Sequence, residues 1–210
     1  MTNTTTRVLI VEDHFLARIA LCGLLDTLGG FRIVAETGAG EEAVRLYAEQ
    51  QPDVVLMDLK LNGTSGFEAI ERIHREHPAA RILVLSNFQG SEDIQRALRA
   101  GARGYVTKEA EGRQLADALR IVASGGKYLP PKLASLLEEA SPGPGITPRE
   151  HLVLELLAKG LGTSEIARQS NIAEKTVRIH ISNILEKLGA RDRTQALVLA
   201  LKRGIIHLDS

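Results

Sequence analysis

Between residues 7 and 124, short runs rich in Val, Ile and Leu alternate five times with longer stretches whose apolar residues recur every three or four positions. No other feature restricts the fold as tightly. Residues 7–11, 31–35, 53–57, 81–85 and 104–106 predict strands, and 15–28, 40–50, 66–74, 92–100 and 112–124 predict helices. Strict β-α alternation argues for an α/β fold, a five-stranded doubly wound parallel sheet with helices on both faces. In such sheets the working groups gather at the carboxyl ends of the strands.

The chain of 210 residues is formally neutral, but the neutrality is divided. Residues 1–146 hold 16 Lys+Arg against 19 Asp+Glu, and residues 147–210 hold 10 against 7. Between the halves, Ser141-Pro-Gly-Pro-Gly145 has no side chain able to build a core and two prolines that interrupt a helix, so it reads as a linker. The expected division is residues 1–125, a connector over 126–146 with a helix near 132–139, and a second domain over 147–210. A hydrophobic fraction of 44% excludes wholesale disorder, and no run approaches the ~20 apolar residues of a membrane helix. The first residues have no apolar core for a signal peptide, and the single Cys22 cannot form an internal disulfide. A cytoplasmic location is expected. Seven aromatic residues are too few for a base-stacking platform, which argues against single-strand nucleic-acid binding by stacking.

The predicted strand ends carry chemistry. Strand one ends in Glu12-Asp13, strand three in Asp58, strand four in Ser86 and strand five in Thr107-Lys108. Three carboxylates at close quarters repel one another unless a cation neutralises them. A hard divalent ion such as Mg²⁺ suits them, with Lys108 as a point charge for an anion. The set describes a phosphoryl site.

Glu12-Asp13, Asp58, Ser86, Tyr105 and Lys108 at these strand ends resemble the receiver domain of bacterial two-component response regulators. The resemblance implies that Asp58 is the phosphoacceptor, taking its phosphoryl group from the phosphohistidine of a sensor histidine kinase. It implies Mg²⁺ held by Glu12, Asp13, Asp58 and the backbone carbonyl of Lys60, pairing of Lys108 with the phosphoryl group, and repositioning of Ser86 and Tyr105 as switch residues. Two positions depart from the common pattern: Asn62 stands where many receivers have Pro, which loosens the loop, and Asn87 follows Ser86 where a small residue is frequent, narrowing the approach to Asp58.

Two enzyme readings compete. Gly38-Ala-Gly40 follows a strand and opens a helix, with Asp58 18 residues after Gly40, which mimics a dinucleotide-binding fingerprint. That reading leaves Glu12, Asp13, Ser86 and Lys108 without roles and supplies no second mononucleotide half. An aspartate-nucleophile phosphatase needs a carboxylic acid two residues after the nucleophile, and Lys60 stands there. The sequence therefore reads as a non-enzyme.

In the second half, Thr147-Pro148-Arg149-Glu150 is a capping box with Pro at the first helical position, and Gly160 suits the helix stop. Further helices are expected over 163–169, 174–188 and 193–203. On the third, Val177, Ile181, Ile184 and Leu188 share one face, leaving polar and basic faces free. A short helix, a tight turn near 170–172 and a longer helix make a helix-turn-helix. Ile146-Thr-Pro-Arg-Glu150, Glu165-Ile-Ala167, Thr176-Val-Arg178-Ile-His180 and Asn183-Ile-Leu-Glu-Lys-Leu188 closely resemble the LuxR-type DNA-binding domain. With the receiver resemblance, this identifies a NarL/FixJ-type response regulator. The likeness implies that Arg178, Ile179 and Ser182 face base edges, that Lys175, Thr176, His180, Asn183 and Lys187 contact phosphates, and that a homodimer binds two half-sites of promoter DNA, with RNA polymerase as a further partner. A constitutive DNA-binding or scaffold protein, whose receiver only mediates contacts, is the alternative of a different class.

Overall fold

The structure, a computed structural model, describes residues 5–87, 90–139 and 145–207. The first strand and helix are β1 (Thr6–Val11) and α1 (Phe15–Leu28), followed by β2 (Phe31–Thr37), α2 (Gly40–Gln50), β3 (Val54–Met57), α3 (Gly66–Glu76), β4 (Ile82–Ser86), α4 (Ser91–Ala100), β5 (Gly104–Thr107) and α5 (Gly112–Ala123). The strands form one sheet in the order β2-β1-β3-β4-β5, with every neighbouring pair parallel. This is the doubly wound architecture expected from the alternation, with the flavodoxin-like reversal beside β1 and β3.

Burial on both faces explains why β3 and β4 read as continuous apolar runs rather than alternating ones, since every residue of both is buried. Val8, Ile10, Val54, Leu56, Leu83 and Val106 pack with Leu25 of α1 and Leu115, Leu119 and Val122 of α5. β3 begins at Val54 rather than at Asp53, whose carboxylate accepts from the Arg7 amide at 2.7 Å while its own amide donates to the Arg7 carbonyl at 2.9 Å. The helix over 66–74 runs two residues further, to Glu76, and Ser65 caps it by accepting from the Glu68 amide.

The outer edge of β5 does not end the sheet. The Tyr105 amide donates to the Tyr128 carbonyl at 3.0 Å and the Tyr128 amide to the Arg103 carbonyl at 3.1 Å, so a short bridge covers the edge. The chain then forms α6 (Pro131–Glu139), where Leu133 is buried, and the break between two compact units falls at Ala134/Ser135 within it. Four of the five linker residues, 141–144, lie outside the described residues.

The second unit contains α7 (Pro148–Ala158), α8 (Thr163–Ser170), α9 (Glu174–Leu188) and α10 (Arg193–Arg203). The capping box forms as expected: Thr147 Oγ1 accepts from the Glu150 amide and Glu150 Oε2 from the Thr147 amide. Asn171 sits in the left-handed region at φ 52°, making the turn between α8 and α9 tight enough to cross them. Val177, Ile181, Ile184 and Leu188 are buried against Val153, Leu154, Ile166 and Ala200. Among the described residues, no helix is long and apolar enough to cross a membrane.

Candidate functional site

Parallel register brings the ends of β1, β3, β4 and β5 to one edge, with Val11 paired to Met57 and Ser86 to Thr107. Asp58 and Glu12, each one residue beyond its strand, are almost wholly buried, at 5% and 1% exposure. Lys108 lies between them: its Nζ donates to Asp58 Oδ2 at 2.7 Å and to Glu12 Oε2 at 2.6 Å. The Lys108 amide donates to the Ser86 carbonyl at 3.1 Å, which fixes the root of that side chain. The remaining carboxylate oxygens meet backbone amides, Asp58 Oδ1 that of Lys60 at 3.3 Å and Glu12 Oε1 that of His14 at 3.1 Å.

Burial pushes the Asp58 carboxyl above its ordinary range, the nearby Glu12 charge adds to this, and the hydrogen bond and charge of Lys108 oppose it. Lys108 is held above its ordinary value because its bonds to Asp58 and Glu12 outweigh its own burial. Glu12, Asp13 and Asp58 each offer an oxygen within 4.8 Å of the others. Three carboxylates against one ammonium leave two negative charges, and hard oxygen donors at that spacing fit a divalent ion of the Mg²⁺ kind.

Other residues shape this edge without an obvious sign in the sequence. Arg18 donates from α1 to the Glu12 carbonyl at 2.7 Å; its signal was being the one cation of a mostly apolar helix, within its first turn and next to the acidic strand end. Gly66 opens α3 so close to the backbone of Asp58 and Leu59 that a Cβ there would overlap the Asp58 carbonyl. Gly40 stands in the same relation to the Thr64 carbonyl, and a Cβ at Gly38 would press more lightly on the backbone of Asp13, so both glycines allow close backbone approach around the acidic edge, as a strand-to-helix turn. A bridge between Ala39 and Asn62 ties that turn to the loop after Asp58. Ser86 and Tyr105 are fully buried beside the edge, and Asn87 is exposed just past β4.

On α9, Lys175, Arg178, Ile179, Ser182 and Asn183 are exposed and Thr176 and His180 half-buried. Ile179 is 51% exposed, a large apolar side chain left in water by the packing of its own helix. Arg178 pairs only loosely with Glu174, at 3.4 Å with both side chains at least half exposed. An open cleft of about 610 Å³ follows the α8–α9 turn past Arg168 and Ala173. Lys187 departs from the expected set of phosphate contacts. Its ammonium faces inward and donates to Glu150 at 2.7 Å, because the buried carboxylate of the capping box needs a counter-charge.

The response regulator receiver family matches residues 8–120, and the family of bacterial regulatory proteins of the luxR type matches residues 145–200. Response regulator protein VraR of Staphylococcus aureus is 36% identical over 208 residues, covering 97% of this chain and all of the relative. The chain is a LuxR-family response regulator. Among solved structures, a LuxR-family two-component response regulator from Aurantimonas sp. SI85-9A1 is 38% identical, covering 64% of this regulator and 96% of that chain with a TM-score of 0.62. RcsB of Salmonella typhimurium, whose structure concerns DNA interaction, is 26% identical over 92% of this regulator and 97% of its own chain, with a TM-score of 0.61. This regulator thus joins a receiver to a LuxR-type DNA-binding domain, in a family of transcription regulators rather than enzymes.

Proposed function

We propose that Asp58 accepts a phosphoryl group from the phosphohistidine of a sensor histidine kinase, and that this modification controls dimerisation and promoter binding. The observation that carries the reading is the Lys108 ammonium held between the buried carboxylates of Asp58 and Glu12. A carboxylate oxygen of Asp58 attacks phosphorus, the P–N bond to the imidazole breaks, and its electron pair returns to that nitrogen. Lys108 then exchanges its bond to Asp58 for one to a phosphoryl oxygen, while Glu12 keeps it in place. Such transfer needs mainly positioning and charge neutralisation. Glu12, Asp13, Asp58 and the Lys60 carbonyl would hold Mg²⁺, which when bound supplies charge neutralisation of the incoming phosphoryl oxygens. Ser86 and Tyr105, buried beside the acceptor, are the groups whose rearrangement would carry the change to the surface.

The proposed division is a receiver over residues 1–125, a connector over 126–146 and a DNA-binding domain over 147–210, working in the cytoplasm with RNA polymerase as partner. Arg178, Ile179 and Ser182 would read base edges in the major groove, and Lys175, Thr176, His180 and Asn183 would contact phosphates. The test is incubation with a phosphoramidate donor and Mg²⁺, followed by mass measurement and promoter-fragment binding. Wild type should gain one phosphoryl group and bind DNA more tightly. Asp58→Asn, of equal volume and without a nucleophile, should do neither, and a phosphorylated Asp58→Asn chain would overturn the assignment.

A further inference from the structure

Lys187 sits in the last turn of α9, yet its ammonium serves groups outside that helix: Glu150 Oε2 at 2.7 Å and the Gly145 carbonyl at 3.2 Å. The Glu150 side chain is only 3% exposed and that of Lys187 18%. The same Oε2 atom accepts from the Thr147 amide at 2.8 Å. One carboxylate oxygen therefore joins the first turn of α7 to the far end of α9, and Lys187 adds the chain that leads into α7.

We propose that Lys187 is a positioning residue for DNA recognition, which through Glu150 fixes the tilt of α9 and so the approach of Arg178, Ile179 and Ser182 to base edges. This rests on the base-reading role given to α9 above. The apolar face of α9 is held by contacts that are strong but non-directional, and these tolerate small rotations. A buried ion pair does not, because any arrangement that separates it leaves a charge without a partner in a poorly solvated place. The leverage is considerable. Nine residues separate Lys187 from Arg178, about 13 Å along the helix, so a tilt of about 10° pivoting at Lys187 moves Arg178 by about 2 Å. That exceeds what a bidentate hydrogen bond to a base can follow.

A phosphate contact and a positioning role differ in what they remove. Losing a phosphate contact weakens all DNA alike and lowers the salt dependence by about one counterion. Losing the position of the helix weakens the preferred sequence and spares the rest. The test uses the full chain, a duplex selected from random sequences by the wild-type protein, and a scrambled duplex of equal length. Lys187→Met should bind the selected duplex about tenfold more weakly, the scale of one lost base contact, with scrambled binding and salt slope unchanged. Lys187→Arg, which keeps the pair, should restore discrimination. The double variant Lys187→Met/Glu150→Gln, which leaves no charge unpaired, should recover melting temperature but not discrimination, separating position from stability. Equal losses on both duplexes with a lower salt slope, or unchanged selectivity in Lys187→Met, would overturn the proposal. A wild-type protein that selects no sequence would overturn the base-reading role itself.

Discussion

At the scale of single residues, the acceptor edge depends as much on what is absent as on what is charged. Gly66 has no side chain where one would collide with the backbone of Asp58. Gly66→Ala must displace that backbone, and because misplacement of a reacting group by about 1 Å can cost on the order of 10²-fold in rate, phosphorylation should slow by tens of fold while the Asp58 side chain remains. Rates with a small phosphoramidate donor check this, and an unchanged rate would mean that the loop gives way elsewhere. Glu150 provides a pH signature. Its burial would raise its pKa, but its bonds from Lys187 and Thr147 prevail and hold it below the ordinary 4.5. A folded value below the unfolded one contributes stability that is complete above about pH 4.5 and is lost as pH falls through the folded value. The stability gap between wild type and Glu150→Gln should therefore be widest near neutrality and shrink as pH drops below 4.5. Thermal unfolding across that range measures it.

At the scale of elements, α9 begins without a side-chain cap. Ala173 occupies the N-cap position, and the Thr176 amide turns back to the Ala173 carbonyl at 2.9 Å. Ser, Thr, Asp or Asn there typically adds about 0.5–2 kcal/mol. Ala173→Ser should raise the melting temperature and firm up the turn that carries Lys175 and Thr176. No rise would show that another group already serves those amides. Arg178→Ala, one turn further on, should cost ~1–3 kcal/mol on a preferred sequence and relax discrimination at one base pair. Comparing its binding to selected and random duplexes decides between base and backbone contact.

At the scale of the whole molecule, phosphorylation at one sheet edge has to alter an assembly. Beryllium fluoride with Mg²⁺ mimics the phosphoryl group, so it should shift wild type toward a dimer in sedimentation and leave Asp58→Asn monomeric. A wild-type sedimentation profile that ignores the mimic would favour the constitutive alternative. The structure adds one connection to this picture. The backbone of Tyr105, a proposed switch residue, is hydrogen-bonded to Tyr128, the residue through which the chain leaves the sheet toward α6.

The sequence by itself determined the α/β alternation, the helix-turn-helix and the identities of Glu12, Asp13, Asp58, Ser86 and Lys108, because these rest on local periodicity and on which residue types end each strand. Even the bounds of α1, α2, α9 and α10 were legible, since apolar periodicity is local and Gly29, Gly189 and Gly204 mark three of the four stops, although α2 and α9 start at the uncapped Ala39 and Ala173. What only the tertiary structure decided involves residues distant in the chain. Gly66 needs the backbone of Asp58 beside it, Arg18 needs the turn after β1, and Tyr128 needs the open edge of β5. Lys187 shows the difference most plainly. Helical periodicity put it on a polar flank, where a lysine reads as a phosphate contact. Only folding brings it to Glu150, 37 residues away, where the need of a buried carboxylate for a counter-charge draws it inward.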